Sequence, residues 1–546
     1  MESVTTILLL LLAVVASGTI SRASPVPLPP PLVQIALGAI IAAVADRGIV
    51  LQPEIFFVLF LPPLLFLDGW RIPKEGLVRD GRAIVGLAFG LVVFTVIGLG
   101  YAIHTMIPAM PLAVAFALAA ILSPTDPVAV SAIAARVPIP RRLMHILEGE
   151  SLFNDASGLV CMRFAVLAAV TGTFSLAEAF GTLLWVAFVG VAVGTAVTWI
   201  IVRVKSWTSR HFGEQTGSQI LVSLLMPFAA YLAAERLHAS GILAAVAAGI
   251  TMSYAEQSGR ALAITRVRRN TVWDMVQFAA NGVIFVLLGE QFPKIADGAA
   301  RIVQETGHYR PIWLVVYVLG ISATLIVLRF AWVWVTLRFT LFRAARKGHP
   351  IQAADWRVIA ATSFAGVRGA ITLAGIVTLP FTMPDGSPFP ARDLAIFLAA
   401  GTIVVSLVTA NIALPFLFKG LRLPPDPSHQ KEEDRARIAA AKAAIETVDR
   451  LQHELGEGRD DADIYANAGS HIMEAYRRRI DNGSKTGNDA ELMRKVAGIE
   501  RQLRLAGLQA ERDEIYRLGR SSRIPDESVR KLVQEIDLVE ARLSPG

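Results

Sequence analysis

The sequence predicts an all-α polytopic membrane protein with a helical tail, and three observations carry that prediction. Of 546 residues, 54% are hydrophobic and only 18% charged. The mean hydropathy of +0.52 is too high for a soluble chain of this size. The apolar runs are long and unbroken, whereas a transmembrane barrel would alternate apolar and polar residues over short strands. After Lys419 the character changes at Leu423-Pro424-Pro425-Asp426-Pro427, a stiff break followed by hydrophilic, helix-forming sequence. Residues 1–420 therefore read as a transmembrane domain and 421–546 as a helical tail domain.

The first apolar run, Thr5 to Val15, precedes an Ala16-Ser17-Gly18 that resembles a signal-cleavage site. No Lys or Arg comes before it, so it reads as a first span with its N-terminus outside. Hydropathy places further spans near 32–45, 54–69, 82–107, 110–135, 143–172, 176–204, 217–235, 239–256, 272–292, 311–342, 356–380 and 393–419, about 13 in all. Roughly three-quarters of the loop Lys and Arg, including Arg71 to Arg82, Arg136 to Arg142 and Arg260 to Arg269, fall on the side shared with the C-terminus. By the positive-inside rule the C-terminus is cytoplasmic. The same asymmetry accounts for the net charge of +7 without invoking nucleic acid. One cysteine, Cys161, allows no intrachain disulfide. In the tail, Leu492, Val496, Ile499 and Leu503 form an apolar stripe behind the cap-like pair Asn488 and Glu491. Val529, Leu532, Val533, Ile536 and Val539 form another after Pro525. The stripes need partners, either each other or a second subunit, and the tail carries no catalytic or nucleotide motif.

The span near 143–172 opens on Glu148 to Gly158, EGESLFNDASG, a polar run inside apolar sequence. Ionisable residues there are expensive and are read as functional by default. On a helix, Ser151, Asp155, Gly158 and Met162 form one stripe, and Glu150, Asn154, Ser157 and Cys161 the stripe beside it. A helix starting near Leu143 puts Asp155 about 18 Å along, close to the middle of a hydrocarbon core about 30 Å thick. Glu148, two turns from Asp155 on nearly the same face, would draw cations towards the site.

A second polar island, Ser123-Pro124-Thr125-Asp126-Pro127, interrupts the preceding span, and its two prolines prevent a continuous helix. Unwound backbone at this depth is tolerated only where protein buries it or a wet cavity receives it. Half-helices meeting at an acidic residue, here Asp126, are one way transporters build an ion site. A matching break occurs at Gly366-Val367-Arg368-Gly369-Ala370, where glycines flank an intramembrane arginine that needs a carboxylate partner. Glu150 is the expected partner and Asp126 the alternative.

At these residues the sequence resembles the sodium/proton antiporters of the monovalent cation:proton antiporter-1 family, bacterial members especially. The similar stretches are Phe60 to Trp70 (FLPPLLFLDGW), Ser123 to Val130 (SPTDPVAV), Glu148 to Gly158 and Gly366 to Ala370, in the family's order within residues 30–420. The resemblance implies an inverted repeat with a core ion domain, a dimerisation domain and two crossing broken helices, working as a homodimer in the bacterial inner (plasma) membrane. It implies that Asn154 and Asp155 are the ion-binding pair, that Ser151 and Thr125 complete the sodium ligands, and that Glu150 and Arg368 form a structural ion pair. Arg163 and Glu290 depart from the pattern and receive no role.

The expected activity is exchange of sodium, or alternatively lithium or potassium, for protons, with no cofactor. A cation and a proton compete for Asp155, and because Asn154 adds no charge the expected stoichiometry is one for one, an electroneutral cycle. Sodium is a hard cation that takes oxygen ligands, by extension from the other hard cations. An intramembrane protease would need a HExxH, a Gly-x-Gly-Asp or a buried Ser-His pair, and none is present. A cation channel could also use Asp155, but two broken segments favour alternating access. His104 and His145, near span ends, read as structural.

Overall fold

The computed structural model describes residues 2–24, 28–45, 53–71, 86–126, 141–172, 176–256, 262–305, 312–346, 356–419, 427–457, 461–484, 488–521 and 523–543. They separate into two compact units, Met1–Leu421 and Arg422–Gly546.

The first unit is helical. Its elements are α1 (Glu2–Ala23), α2 (Pro30–Ala45), α3 (Pro53–Arg71), α4 (a π-helical turn Gly86–Leu91 running into Val92–Met106) and α5 (Leu112–Leu122). They continue with α6 (Arg141–Thr171), α7 (Leu176–Phe212), α8 (Thr216–Arg236), α9 (Gly241–Glu256), α10 (Ala263–Glu305), α11 (Ile312–Arg346), α12 (Trp356–Phe364), α13 (Ala370–Val377) and α14 (Arg392–Phe418). Among the described residues, seven helices are long and apolar enough to cross a membrane: α1, α4, α7, α8, α10, α11 and α14.

The short helices are short for a stated chemical reason. α5 runs for 11 residues, too few to span a bilayer core that needs about 20. It stops at Leu122 because Pro124 cannot continue the donor ladder. The remainder of the expected 110–135 span, from residue 127, lies outside the described residues. The expected 356–380 span divides into α12 and α13, with 365–369 non-helical between them. Both breaks fall where glycine or proline replaced helix formers in the sequence.

At two helix crossings in this unit the contact is backbone to backbone. A Cβ on Gly289 of α10 would run into the Ile35 carbonyl of α2, and one on Gly38 would run into the Val286 carbonyl. Gly69 of α3 and Gly249 of α9 stand in the same reciprocal relation to Val246 and Phe66. Lipid tails are as apolar as leucine, so close van der Waals approach, rather than exclusion from water, holds such crossings. A second core of Phe66, Trp70, Met226 and Trp273 joins α3, α8 and α10, with Phe66 stacked on Trp273 at 5.3 Å. Large apolar side chains at Trp185, Phe188, Leu221, Leu225 and Val327 point outward, as a bilayer-facing surface requires.

The second unit comprises α15 (Pro427–Gly456), α16 (Ala462–Ser484), α17 (Asn488–Arg520) and α18 (Asp526–Leu543). α17 begins at the expected Asn488. Arg512 of α17 ion-pairs with Asp537 of α18 at 2.9 Å and also with Glu540. Ile536 is buried, whereas Leu492, Val496, Ile499 and Leu503 stay exposed within this unit.

Gly289→Leu should separate α2 from α10 and destabilise the protein by about 1–3 kcal/mol or more. Gly18→Leu, whose Cβ position is open, should be near neutral. Thermal unfolding of both variants in one detergent checks the contrast.

Candidate ion-binding site

α6 carries the polar run in one unbroken helix, and the expected stripes are buried as neighbours. Glu150 is 0% exposed, Ser151 4%, Asn154 1% and Asp155 4%. Beside them lie the non-helical residues after α5 and those between α12 and α13.

The two unwound segments bond directly to each other. The Asp126 N–H donates to the Val367 carbonyl at 2.7 Å. Arg368 donates from Nε to the Leu122 carbonyl at 3.0 Å, from Nη1 to the Gly366 carbonyl, and its backbone N–H reaches Ser406 Oγ at 3.1 Å. The guanidinium thus occupies the C-terminal, partially negative end of α5, as the helix dipole favours. In return the Asp126 carboxylate lies against Gly369, at the partially positive start of α13, so closely that a Cβ there would strike it. Each half-helix end meets the opposite charge from the other segment.

This geometry corrects the expected ion pair. Glu150 is held by Arg329 of α11, not by Arg368: Nη1 and Nη2 reach Oε1 and Oε2 at 2.5 and 2.8 Å. Arg329 Nε also donates to the Thr362 carbonyl of α12 at 2.9 Å. The reason is geometric. Arg368 is already spent on backbone carbonyls freed by the breaks, and α11 supplies a planar fork that matches a carboxylate in two bonds. Arg368 still lies near enough to feel both members of the pair.

From that pair a chain of bonds orients the site. Thr125 Oγ1 donates to Glu150 Oε1 at 3.2 Å, so it can only accept from Asn154 Nδ2, at 3.1 Å. The Asn154 amide is thereby turned, and its Oδ1, buried, has no hydrogen-bond partner among the described residues. Ser151, one turn before Asp155, directs its hydroxyl to that carboxylate. A buried carboxylate, a hydroxyl and an unpaired amide oxygen suit a hard cation and need no protein donor between them. Thr125, expected as a ligand, has its hydroxyl engaged in orienting Asn154.

Sequence reasoning missed two residues. Arg329 lies in the expected 311–342 span, to which no site residue was assigned, and an intramembrane arginine was the available signal. Asp68 of α3, within the quoted Phe60–Trp70 stretch, stands in electrostatic range of both Asp155 and Asp126. Of the residues without a role, Arg163 pairs with Glu235 of α8 at 3.2 Å. Glu290 is buried in α10 where Gly38 of α2 meets it. The Glu148 side chain lies outside the described residues. Further along α6, a cavity of about 570 Å³ is lined by Leu159, Met162, Arg163, Tyr231, Thr378 and Thr382.

The transmembrane sodium/hydrogen exchanger family matches residues 8–420. A relative from Escherichia coli, the uncharacterized Na(+)/H(+) exchanger YjcE, is 41% identical, covering 100% of this chain and 99% of the relative. A sodium, potassium, lithium and rubidium/H(+) antiporter from Bacillus pumilus is 37% identical over 99% of this chain and 78% of its own length. The solved sodium proton antiporter MjNhaP1 from Methanocaldococcus jannaschii has the same fold, with a TM-score of 0.60 at 18% identity, covering 77% of this chain and 99% of that one.

Breaking the buried pair should be costly. Arg329→Gln is expected to destabilise by about 3–5 kcal/mol because Glu150 is left uncompensated, and Glu150→Gln in the same chain should recover part of the loss. Thermal unfolding of the double-mutant cycle should give a larger coupling for Glu150 with Arg329 than for Glu150 with Arg368.

Proposed function

The chain belongs to the sodium/hydrogen exchanger family, and from that premise we propose that it exchanges sodium, or another monovalent cation, for protons by alternating access at Asp155. The observation that carries this reading is the buried Asn154 Oδ1, without a hydrogen-bond partner among the described residues, on the residue next to the buried Asp155. A naked carboxylate in a low-dielectric site is unfavourable, and either a proton or a cation relieves it. The cation alone has use for the Asn154 oxygen and the Ser151 hydroxyl as well. Competition for one carboxylate then gives exchange, because the empty, charged site does not cross between the two access states.

Asn154 adds no charge, so one proton replaces one cation and the cycle is electroneutral. Asp126 acts at the start of α13 rather than as a ligand, and Glu150 is neutralised by Arg329; of the two carboxylates left, Asp68 and Asp155, Asp155 is the exchanging group because Asn154 and Ser151 stand with it on α6. The 570 Å³ cavity is the approach from one side of the membrane. The protein works as a homodimer in the plasma membrane with its tail, residues 421–546, in the cytoplasm, as the excess of loop Arg and Lys on that side supports. Potassium is the second cation reading, favoured by the Bacillus relative whose name includes it.

Proteoliposomes under a cation gradient provide the test. Wild-type protein should move protons in response to sodium, and Asp155→Asn should not; undiminished exchange in that variant would overturn the assignment. On the acid side of the site's titration, the apparent Michaelis constant for sodium should rise about tenfold for each unit of pH lost, as expected for one competing proton. Clamping the membrane potential with no ion gradients should leave the one-for-one exchange unchanged, and a strong response would refute that stoichiometry.

A further inference from the structure

Away from the ion site, four helix ends in the first unit line an open cavity of about 600 Å³ that carries several charged side chains. Its charged and amide lining comes from Lys205 and Arg210 near the end of α7, Glu214 and Gln219 at the start of α8, Glu256 at the end of α9 and Arg269 in α10. Arg269 is only 1% exposed. It ion-pairs with Glu256, whose other oxygen accepts from Trp70 Nε1 at 2.7 Å, and its guanidinium lies over the Trp70 ring at 5.3 Å. Its Nε and Nη1 nevertheless have no hydrogen-bond partner among the described residues. Glu214 accepts from the Leu262 N–H at 3.3 Å. With Glu256 answered by Arg269, the remaining lining charges are Lys205 and Arg210 against Glu214, a net positive cavity.

A second cavity, of about 440 Å³ and almost wholly apolar, runs between α7 and α8 and shares Lys205 and Gln219 with the first. Its walls include Ile200, Val204 and Leu225, which are 52%, 58% and 55% exposed. These side chains belong to the outward apolar face, so the groove opens where lipid tails would lie. Trp207, 54% exposed, sits on the same helix between Lys205 and Arg210, a residue type enriched at the membrane–water boundary.

We propose that the joined cavities bind one anionic phospholipid, its phosphate between Lys205 and Arg210 with the spare Arg269 donors beneath it, and an acyl chain in the α7–α8 groove. Charge complementarity selects an anion, since basic pockets between membrane helices suit acidic headgroups. Continuity with an apolar groove open to the bilayer selects a lipid over a soluble anion, which would leave the groove unfilled.

The full-length protein in detergent, titrated by native mass spectrometry with phosphatidylglycerol, phosphatidylcholine and glycerol phosphate, tests this. Phosphatidylglycerol should bind more tightly than phosphatidylcholine. Lys205→Gln with Arg210→Gln should weaken phosphatidylglycerol about 30-fold, about fivefold for each charge removed, and leave phosphatidylcholine unchanged. Ala229→Trp, which fills the groove, should also weaken it, whereas Lys205→Arg should not. Equal affinity for the two lipids, or unaltered phosphatidylglycerol binding in the double variant, would overturn the proposal. So would glycerol phosphate competing at the same concentrations while Ala229→Trp has no effect, because the site would then hold a soluble anion. Unchanged thermal unfolding in the variants separates lost binding from lost folding.

Discussion

The ion pair between Glu150 and Arg329 is the constraint on which the rest of the site depends. Two charges buried together are stable only with both partners in place and the remaining donors and acceptors satisfied. Arg329 meets that condition by closing two bonds on Glu150 and giving Nε to the Thr362 carbonyl. Held by Arg329, Glu150 accepts a hydrogen bond from the Thr125 hydroxyl, and with its one O–H so engaged Thr125 can only accept from Asn154. The orientation of an uncharged amide beside Asp155 therefore traces to a charge pair contributed by two other positions. It also fixes α6, α11 and α12 against one another at the depth where the helices break.

The crossing of the two unwound segments solves a different problem. Interrupting a helix inside a membrane strands donors and acceptors that no water can reach. Here the strays are used: Asp126 N–H meets Val367 O, Arg368 collects the Leu122 and Gly366 carbonyls, and the Asp126 carboxylate faces the start of α13 at Gly369. The charges of Asp126 and Arg368 compensate helix ends, which is why neither is needed to neutralise the other or Glu150.

Much of this was legible in the sequence because membranes simplify the code. A helix that must satisfy its backbone internally announces itself by hydropathy, and proline or glycine inside such a run announces a break, as at Pro124 and at Gly366 to Gly369. The i to i+4 relation placed Ser151 over Asp155 before any coordinates did. The partner of Glu150 was not legible. Helical periodicity gives the face of a residue on its own helix and says nothing about which of several arginines a neighbouring helix brings to it. Arg368 was conspicuous because glycines flank it at a helix break, and Arg329 was inconspicuous because Leu328 and Phe330 flank it in an unbroken apolar run. Asp68 escaped notice for the same reason, since its closeness to Asp155 is a tertiary fact.

A proposed exchange site of this kind requires the number of titrating groups to be controlled as strictly as their positions. Asp68, Asp126, Glu150 and Asp155 are near enough to influence one another, and an assembly of four free carboxylates would bind cations with no defined stoichiometry. Glu150 is removed from that competition by Arg329, and Asp126 is directed at a helix end. Asn154 then supplies a ligand oxygen without supplying a charge. Asp68 and Asp155 are left, and of these Asp155 shares its helix with Asn154 and Ser151, so the proposed site rests on one carboxylate that takes one proton or one monovalent cation while Asp68 keeps a fixed charge state. The proposed electroneutral exchange therefore depends on how the surrounding residues hold their charge, Glu150 by Arg329 and Asp126 at a helix end, as much as on Asp155 itself.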